Sequence, residues 1–449
     1  MSDYLKKAND ENYNPIIRRV AVLCKMRLLS PALIGSGESE NTKRDVYLDA
    51  KGNPVLPGTS IAGVLRSSLD VESAAKLFGA LDKEGTKKLF GPLIDSNNAS
   101  AITSPLWVFD VPLYDAKIIT IDNVALDENK VAKPDKKFDF EAIDRGAGFD
   151  LRLQLIIRKN SCDGLEDILG RLLGKLSNLY VGGKTSRGFG KLECESIHKL
   201  AFGGDGTELE KWKGFKWDQL LTINPEPKQP KYTSEHGEIS AMLKLKGSLL
   251  IRDDYSVIGK EDSAQITSNG RPVIYGTSMA GAIKGGLARF LKTQGYQNCN
   301  SYLDKVFGYP DKHSDDKQTF PSKVRVDASY FGKDKRHLVT RVKIDRWTGG
   351  AANRALFTSR PQFKGEVILR VQYPKGDEAI YQLLLLALQA IDLGLVTIGG
   401  ETAIGRGVFS VEKICIDGIE KPKCQLFKLP KHMLREKLLE EPKGGAIND

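Results

Sequence analysis

The chain carries two kinds of residue cluster that could do chemistry on a polyanion. The first is Gly182-Gly-Lys-Thr-Ser-Arg-Gly-Phe-Gly190. Its glycines allow close backbone approach, while Lys184, Thr185, Ser186 and Arg187 offer donors suited to phosphates and ribose 2′-hydroxyls. The second kind is acidic. A loop at 35–53 offers Glu38, Glu40, Asp45 and Asp49, and one at 252–271 offers Asp253, Asp254, Glu261 and Asp262. Acidic residues in polar surface loops are ordinarily solvated. Two further patterns suit nucleic acid. Gly58-Thr-Ser60 and Gly276-Thr-Ser278 read as helix starts, whose N–H groups and positive end favour phosphate. Arg66 and Lys284 follow two turns later. Between 336 and 364, Arg341, Lys343, Arg346, Arg354 and Arg360 interleave with His337, Trp347, Phe357 and Phe363. That mixture fits phosphate contact combined with base stacking.

Other chemistries lack their signatures. There is no G-x-x-x-x-G-K-[ST] loop, no strand-linked G-x-G-x-x-G and no G-x-S-x-G elbow. The Gly-Gly-Asp-Gly at 203–206 stands in a polar connecting stretch and reads as a turn. Six cysteines form no C-x-x-C pair and five histidines are dispersed, which argues against a zinc site and a disulfide framework. Apolar runs fall well short of the roughly 20 residues that span a bilayer. MSDYLKKANDENYN has no apolar signal region, so a cytoplasmic protein without a membrane partner is expected. The 67 basic and 57 acidic residues leave +10, a modest bias towards a polyanion.

Positioning these groups requires elements, and the elements come in duplicate. Pro54–Leu69 recurs as Pro272–Leu287 with eight of sixteen positions identical, at an offset of 218. At an offset of 217, Leu89-Phe-Gly91 matches Val306-Phe-Gly308, Asp110 matches Asp327, and 149–155 matches 366–372. At the same offset Gly182–Gly190 matches Gly399–Gly407. The second copy has Glu401 and Ile404 where the first has Lys184 and Arg187, leaving Arg406 as its cation. Two homologous domains are expected at 15–200 and 235–415, after a flexible 1–14, with a Gly- and Pro-rich linker at 201–234 and a tail at 416–449. The tail's apolar residues at 433, 434, 438 and 439 predict an amphipathic helix, expected to pack back on its own domain in preference to docking on a neighbour. Each repeat reads as a strand (20–28; 240–251), a helix capped by Thr59 or Ser60 (Thr277 or Ser278), then strands at 107–111 and 149–157 (323–326; 367–371). A second helix follows (165–176; 379–393). The order predicts an α+β, ferredoxin-like sheet with helices on one face.

The Pro-Gly-Thr-Ser-x-x-Gly helix start, the Phe-Gly motif and the terminal Gly-Gly-Lys-Thr-Ser-Arg-Gly-Phe-Gly-Lys resemble the RAMP superfamily of CRISPR proteins. More narrowly, both halves look like backbone subunits of type III effector complexes, over about 15–200 and 235–412. A tandem fusion is similar to the double backbone subunit of a type III-D complex. The resemblance implies two RRM-like RAMP domains with β-hairpin thumb insertions at 115–148 and 329–365. The stretch Ile344-Asp-Arg-Trp-Thr-Gly-Gly-Ala351 fits the thumb pattern. Ile121-Asp-Asn-Val-Ala125 fits less well and carries Lys130, Lys133, Lys136 and Lys137 nearby. Implied partners are a CRISPR guide RNA, complementary target RNA and other type III effector subunits. Implied RNA contacts fall on Gly58, Thr59, Ser60, Arg66, Lys184, Thr185, Ser186 and Arg187, and on Gly276, Thr277, Ser278, Lys284, Arg341, Arg346, Trp347 and Arg406. Ala62 and Ala280 stand where the family commonly has lysine. The resemblance also implies a metal-dependent endoribonuclease, in which a 2′-hydroxyl attacks the adjacent phosphate. In the first repeat the family's spacing lands on Lys43, so Asp45 is the expected catalytic and metal-holding group, with Glu40 second. In the second it lands on Glu261, beside Asp262, which is favoured because the family uses aspartate; Mg²⁺ or Mn²⁺ is the implied ion. The alternative is a catalytically silent subunit that only orders RNA.

Overall fold

The computed structural model of the chain describes residues 14–35, 46–79, 103–126, 132–161, 163–227, 236–253, 261–308, 321–428 and 431–439. In the first repeat, β1 (Ile16–Leu28) is the central strand. Its even positions from 20 to 28 are all apolar, which sets one face of the strand inward. β1 pairs antiparallel with β7 (Gly148–Arg158) on one side and β8 (Leu192–Gly203) on the other. Beyond β7 lie β3 (Leu106–Val108) and β4 (Val111–Tyr114), and β4 also pairs with β2 (Val55–Leu56). Val20, Val22, Cys24, Met26 and Leu28 share a core with residues of helices Gly58–Ser67, Val71–Phe78 and Leu165–Lys175. β5 (Ile118–Leu126) and β6 (Ala132–Ile143) form a hairpin inserted before β7.

The second repeat repeats this plan. Strand His236–Leu245 pairs antiparallel with Glu366–Pro374 and Phe409–Ile416. Helices Gly276–Thr293, Cys299–Phe307 and Glu378–Asp392 supply much of its core. A hairpin of Val339–Ile344 and Ala351–Arg360 is inserted at the same point in the order. Tail helices Lys423–Lys428 and His432–Leu439 lie on this domain, as expected. Leu426, Leu434 and Leu438 enter its core, and the Leu434 amide donates to Gln382 Oε1. No helix among the described residues is long and apolar enough to cross a membrane.

Three expectations change. Much of the stretch read as a linker is folded onto the first domain. β8 runs to Gly203, Asp205 caps a helix at Gly206–Lys213, and a 3₁₀ turn follows at Trp217–Thr222. Phe202, Trp212, Phe215 and Trp217 stack edge-on or face-on at 5.2–5.5 Å, and with Leu220 they cover Ala21 and Leu23 on the outer sheet face. Gly and Pro content concealed an aromatic pattern with enough apolar area to fold.

The helix caps also differ. Both helices start at the glycine, with Pro57 and Tyr275 at the cap position and no side-chain cap. In the first repeat a remote carboxylate replaces the cap, since the Gly58 amide donates to Asp110 Oδ1 at 2.6 Å. To bring Asp110 there the chain breaks at Phe109–Asp110, which splits the expected single strand into β3 and β4. Finally, the Phe-Gly that ends the second helix of the first repeat is Phe78-Gly79, not Phe90-Gly91, which lies outside the described residues. Ser104 Oγ donates to Leu77 O as Ser322 Oγ donates to Val306 O, so the two helix ends correspond.

The glycines of the helix-start motif divide into two classes, which yields a stability test. A Cβ on Gly58 would fall on the Val108 carbonyl, and one on Gly276 on the carbonyls of Val326 and Arg187. Gly58→Ala and Gly276→Ala should each cost about 1–3 kcal/mol. Gly63→Ala and Gly281→Ala point into open space in the same helices. They should leave stability unchanged or raise it by up to about 1 kcal/mol. Thermal unfolding of the four single variants checks this; equal losses in all four would contradict it.

Candidate nucleic-acid interface

The two glycine-rich segments fold alike. Lys184 and Glu401 both adopt a left-handed backbone (φ 56° and 54°), and each precedes a 3₁₀ turn, Thr185–Arg187 or Thr402–Ile404. The side chains at this shared position then diverge. The Lys184 ammonium sits 3.9 Å from the centroid of Phe140 and 4.7 Å from that of Phe138, against the first hairpin. Glu401 gathers arginines: it accepts from Arg341 Nη2 at 2.5 Å and Arg252 Nη2 at 2.9 Å, and Arg406 Nη1 lies 3.2 Å away. Burial works to raise the Glu401 carboxyl, but the bonds from Arg341 and Arg252 and the charge of Arg406 outweigh it and hold it below the usual range. Arg406 is buried, which lowers its pKa, and its Nη2 donates to Ser359 Oγ. The second turn is therefore an acid-centred clamp on the hairpin strands, and Arg341 and Arg406 are among its members.

Arg187 and Lys284 are held in structural contacts. Arg187 Nη2 donates to the Phe307 carbonyl of the other repeat at 2.5 Å, and burial depresses its pKa. Lys284 Nζ pairs with Asp304 at 2.6 Å and donates to Gly308 O, tying its helix to the next. Beside Arg187 lies a group that the sequence did not single out as a site. The Tyr180 hydroxyl donates to Asp327 Oδ1 at 2.8 Å and Lys191 Nζ to Oδ2 at 2.5 Å, with Arg325 over the Tyr180 ring. The one available signal was the recurrence of aspartate at 110 and 327. This joint half-covers Thr277 and Ser278, whereas Thr59 and Ser60 are exposed. Arg66 is half-buried, and Thr185 and Ser186 are half-buried in the first turn.

The hairpin Val339–Arg360 presents the most open surface. Asp345 accepts from the amides of Trp347 and Thr348 and from the Thr348 hydroxyl, closing the turn. Those bonds hold its carboxyl below the usual range, the Thr348 amide foremost. Arg346 is exposed and Trp347 is 93% exposed at the tip, with Phe357, Leu356 and Ile344 exposed along the strands. In the first hairpin the side chains of 125–137, including Lys133, Lys136 and Lys137, lie outside the described residues, as does Lys130.

Asp45 and Glu40 lie outside the described residues, as do Glu38, Asp254 and the Asp253 side chain. Asp49 accepts from the amides of Lys51 and Asn53, closing its own turn. Glu261 is buried and accepts from Arg360 Nε at 2.8 Å, at the hairpin base. Asp262 is exposed, and its Oδ2 accepts from the Thr358 amide at 2.7 Å. Among the described residues no three His, Cys, Asp or Glu side chains converge on a point. They therefore build no preformed cation cage.

A family model described as the RAMP superfamily matches residues 25–193 and 242–410. No curated protein matches the chain.

The inter-repeat joint makes two measurable claims. Asp327→Ala leaves the Tyr180 hydroxyl and the Lys191 ammonium without their acceptor. Urea unfolding should show a loss of about 2–3 kcal/mol, below the range for a fully buried pair because Lys191 keeps some water contact. Tyr180 gives the pH claim. Burial, then the charge of Asp327, pushes its hydroxyl far above the ordinary value near 10. The unfolded tyrosine ionises first, so its share of stability is intact below about pH 10 and falls as pH rises further. Tyr180→Phe should flatten that alkaline slope; an unchanged slope counts against the buried, Asp327-bound hydroxyl.

Proposed function

The chain belongs to the RAMP superfamily, and we propose that it serves in the cytoplasm as a guide-RNA-binding backbone subunit of a CRISPR effector complex, of the type III-D kind. The sheet order β8–β1–β7–β3/β4, with the three core helices on one face, supports reading each repeat as a ferredoxin-like domain and its hairpin as a thumb. The observation that carries the RNA reading is the second hairpin. Its tip exposes Arg346 beside a Trp347 that packs on almost nothing in the chain. An aromatic left 93% exposed next to a cation suits a nucleotide base and its phosphate. The Glu401 clamp fixes the strands that bear them, so the tip is presented rather than trailing.

Target-RNA cleavage forms part of this proposal, with Asp262 as the group in the second repeat and Asp45 in the first. Asp262 is the exposed member of its pair, whereas Glu261 is occupied by Arg360. A bound Mg²⁺ or Mn²⁺ would supply charge stabilisation for the in-line attack of the 2′-hydroxyl. The chain's own part is to hold the RNA against the hairpin base and keep the Asp262 carboxylate turned to it. A silent, RNA-ordering subunit is the second reading, favoured by the bond from the Thr358 amide, which gives Asp262 a structural task. Asp45→Ala, Asp262→Ala and the double variant, each assembled with guide and given Mg²⁺, separate the two. Every cleavage product surviving in all three leaves the silent reading.

RNA binding is tested at the hairpin tip. Trp347→Ala should weaken guide binding by about 1–3 kcal/mol with little change in salt dependence. Arg346→Ala should weaken it and reduce the slope of log affinity against log salt by about 1. Both positions are exposed, so melting temperatures should hold. Unaltered affinity in both variants would remove the proposed surface.

A further inference from the structure

Two sulfurs far apart in the sequence meet on the sheet of the first repeat. Cys24 stands in the middle of β1 and is fully buried, and Cys194 is half-buried near the start of β8. The register of the two strands brings them together. Cys24 faces Ile197 and Lys25 faces Ser196, but Met26 faces Cys194, because Glu195 is bulged out of the ladder. Without that extra residue Cys194 would fall opposite Arg27 and point to the other side of the sheet. The bulge is pinned from outside, where Glu195 accepts from Arg27 Nε at 2.5 Å. Cys194 is thereby turned against the apolar core that contains Cys24. It lies diagonally across from Cys24 and hydrogen-bonds with its thiol. Strand Phe409–Ile416 repeats the bulge, between Val411 and Lys413, yet there Ala241 and Val411 stand in the places of Cys24 and Cys194. An alanine and a valine fill the same space, so packing alone does not call for a pair of thiols.

We propose that Cys24 and Cys194 form a redox site, which hydrogen peroxide converts to a cross-strand disulfide tying β1 to β8 and which small thiols reopen. The two sulfurs take different parts. The hydrogen bond to Cys194, and then burial, push the Cys24 thiol well up, so Cys24 stays protonated. Cys194 is the sulfur that an oxidant from solvent reaches first. Its thiolate attacks one peroxide oxygen, the O–O bond breaks, hydroxide leaves, and Cys194 becomes a sulfenic acid. The Cys24 sulfur then attacks the Cys194 sulfur. The S–O bond breaks and the oxygen departs as water, taking the Cys24 proton. Two thiols and one peroxide give one disulfide and two waters. In a reducing compartment the pair stays as thiols until peroxide rises. The cross-link closes a loop that holds nearly the whole first repeat. It also lies just beyond the turn that meets the second repeat, where the Cys194 amide donates to Ser177 Oγ at 3.1 Å. The inference is independent of RNA binding.

Peroxide treatment of the full chain without RNA tests it, followed by alkylation in denaturant and peptide mapping without reduction. The Cys24 and Cys194 peptides should appear joined and lighter by two hydrogen atoms, and dithiothreitol should separate them. The oxidised chain should melt higher than the reduced one by roughly 5 °C or more. Cys24→Ala and Cys194→Val each copy the second repeat and should fold. Cys24→Ala should leave a sulfenic acid on Cys194 that dimedone traps, and Cys194→Val should leave the Cys24 thiol open to alkylation. Survival of both thiols in the peroxide-treated wild-type chain overturns the inference. So does linkage of either sulfur to another cysteine, or a Cys194 carried on to sulfinic acid while Cys24 remains a thiol.

Discussion

The tandem arrangement hangs on a backbone contact that only glycine permits. At Gly276 the chain passes the carbonyls of Val326, from its own repeat, and Arg187, from the other, with no room for a Cβ. Such an approach fixes the helix start, Asp327 and the turn 185–187 relative to one another and removes their polar groups from water. Buried polar groups must find partners. Tyr180, Lys191 and Arg187 accordingly converge on Asp327 and the Phe307 carbonyl. Around them Phe140, Phe189, Val273 and Tyr275 make an apolar cluster, and Asp144 accepts from the Ser268 hydroxyl and the Asn269 amide. The repeats are held by a wedge of backbone, salt bridge and aromatic packing.

The sequence showed the duplication because its landmarks are backbone constraints. Glycines at 58, 190, 276 and 407 abut carbonyls, so drift elsewhere leaves them in place. The strands were legible from alternation, since β1 buries its even positions under helices. Where reading failed, the deciding partner was remote in sequence. The cap of Gly58 is Asp110, which no local rule at Thr59 or Ser60 reveals. The constant offset selected the Leu-Phe-Gly at 89–91, whereas the Ser104 hydroxyl pairs the run at 77–79 with 306–308. The folded part of 201–234 was hidden because Gly and Pro outweighed four aromatics, Phe202, Trp212, Phe215 and Trp217.

At the candidate interface, residue type was a weaker guide than at the core. Arg187 and Lys284 have the charge and placement expected of phosphate ligands, yet they satisfy carbonyls and carboxylates of the protein itself. Position 184/401 shows the same ambiguity from the other side. One left-handed backbone site holds a lysine against aromatic rings in one copy and a glutamate among arginines in the other. A cation in a glycine-rich loop reports that a negative or π-rich partner exists, and only the three-dimensional neighbourhood says whether that partner is internal.

The excess charge of the chain is therefore less informative than its location. An isolated two-stranded hairpin is marginal in water, and the strands Val339–Ile344 and Ala351–Arg360 leave much of their apolar surface uncovered. Their order comes from the base. There Glu261 holds Arg360, Asp262 holds the Thr358 amide, Glu401 holds Arg341 and Arg406 reaches Ser359. Each of these contacts spends a charge on anchoring, and all four sit below a tip where Arg346 and Trp347 are bare. Two of the anchors come from the acidic loop itself. Any displacement of the hairpin pulls on Asp262 through the Thr358 amide, so the loop and the tip are mechanically coupled.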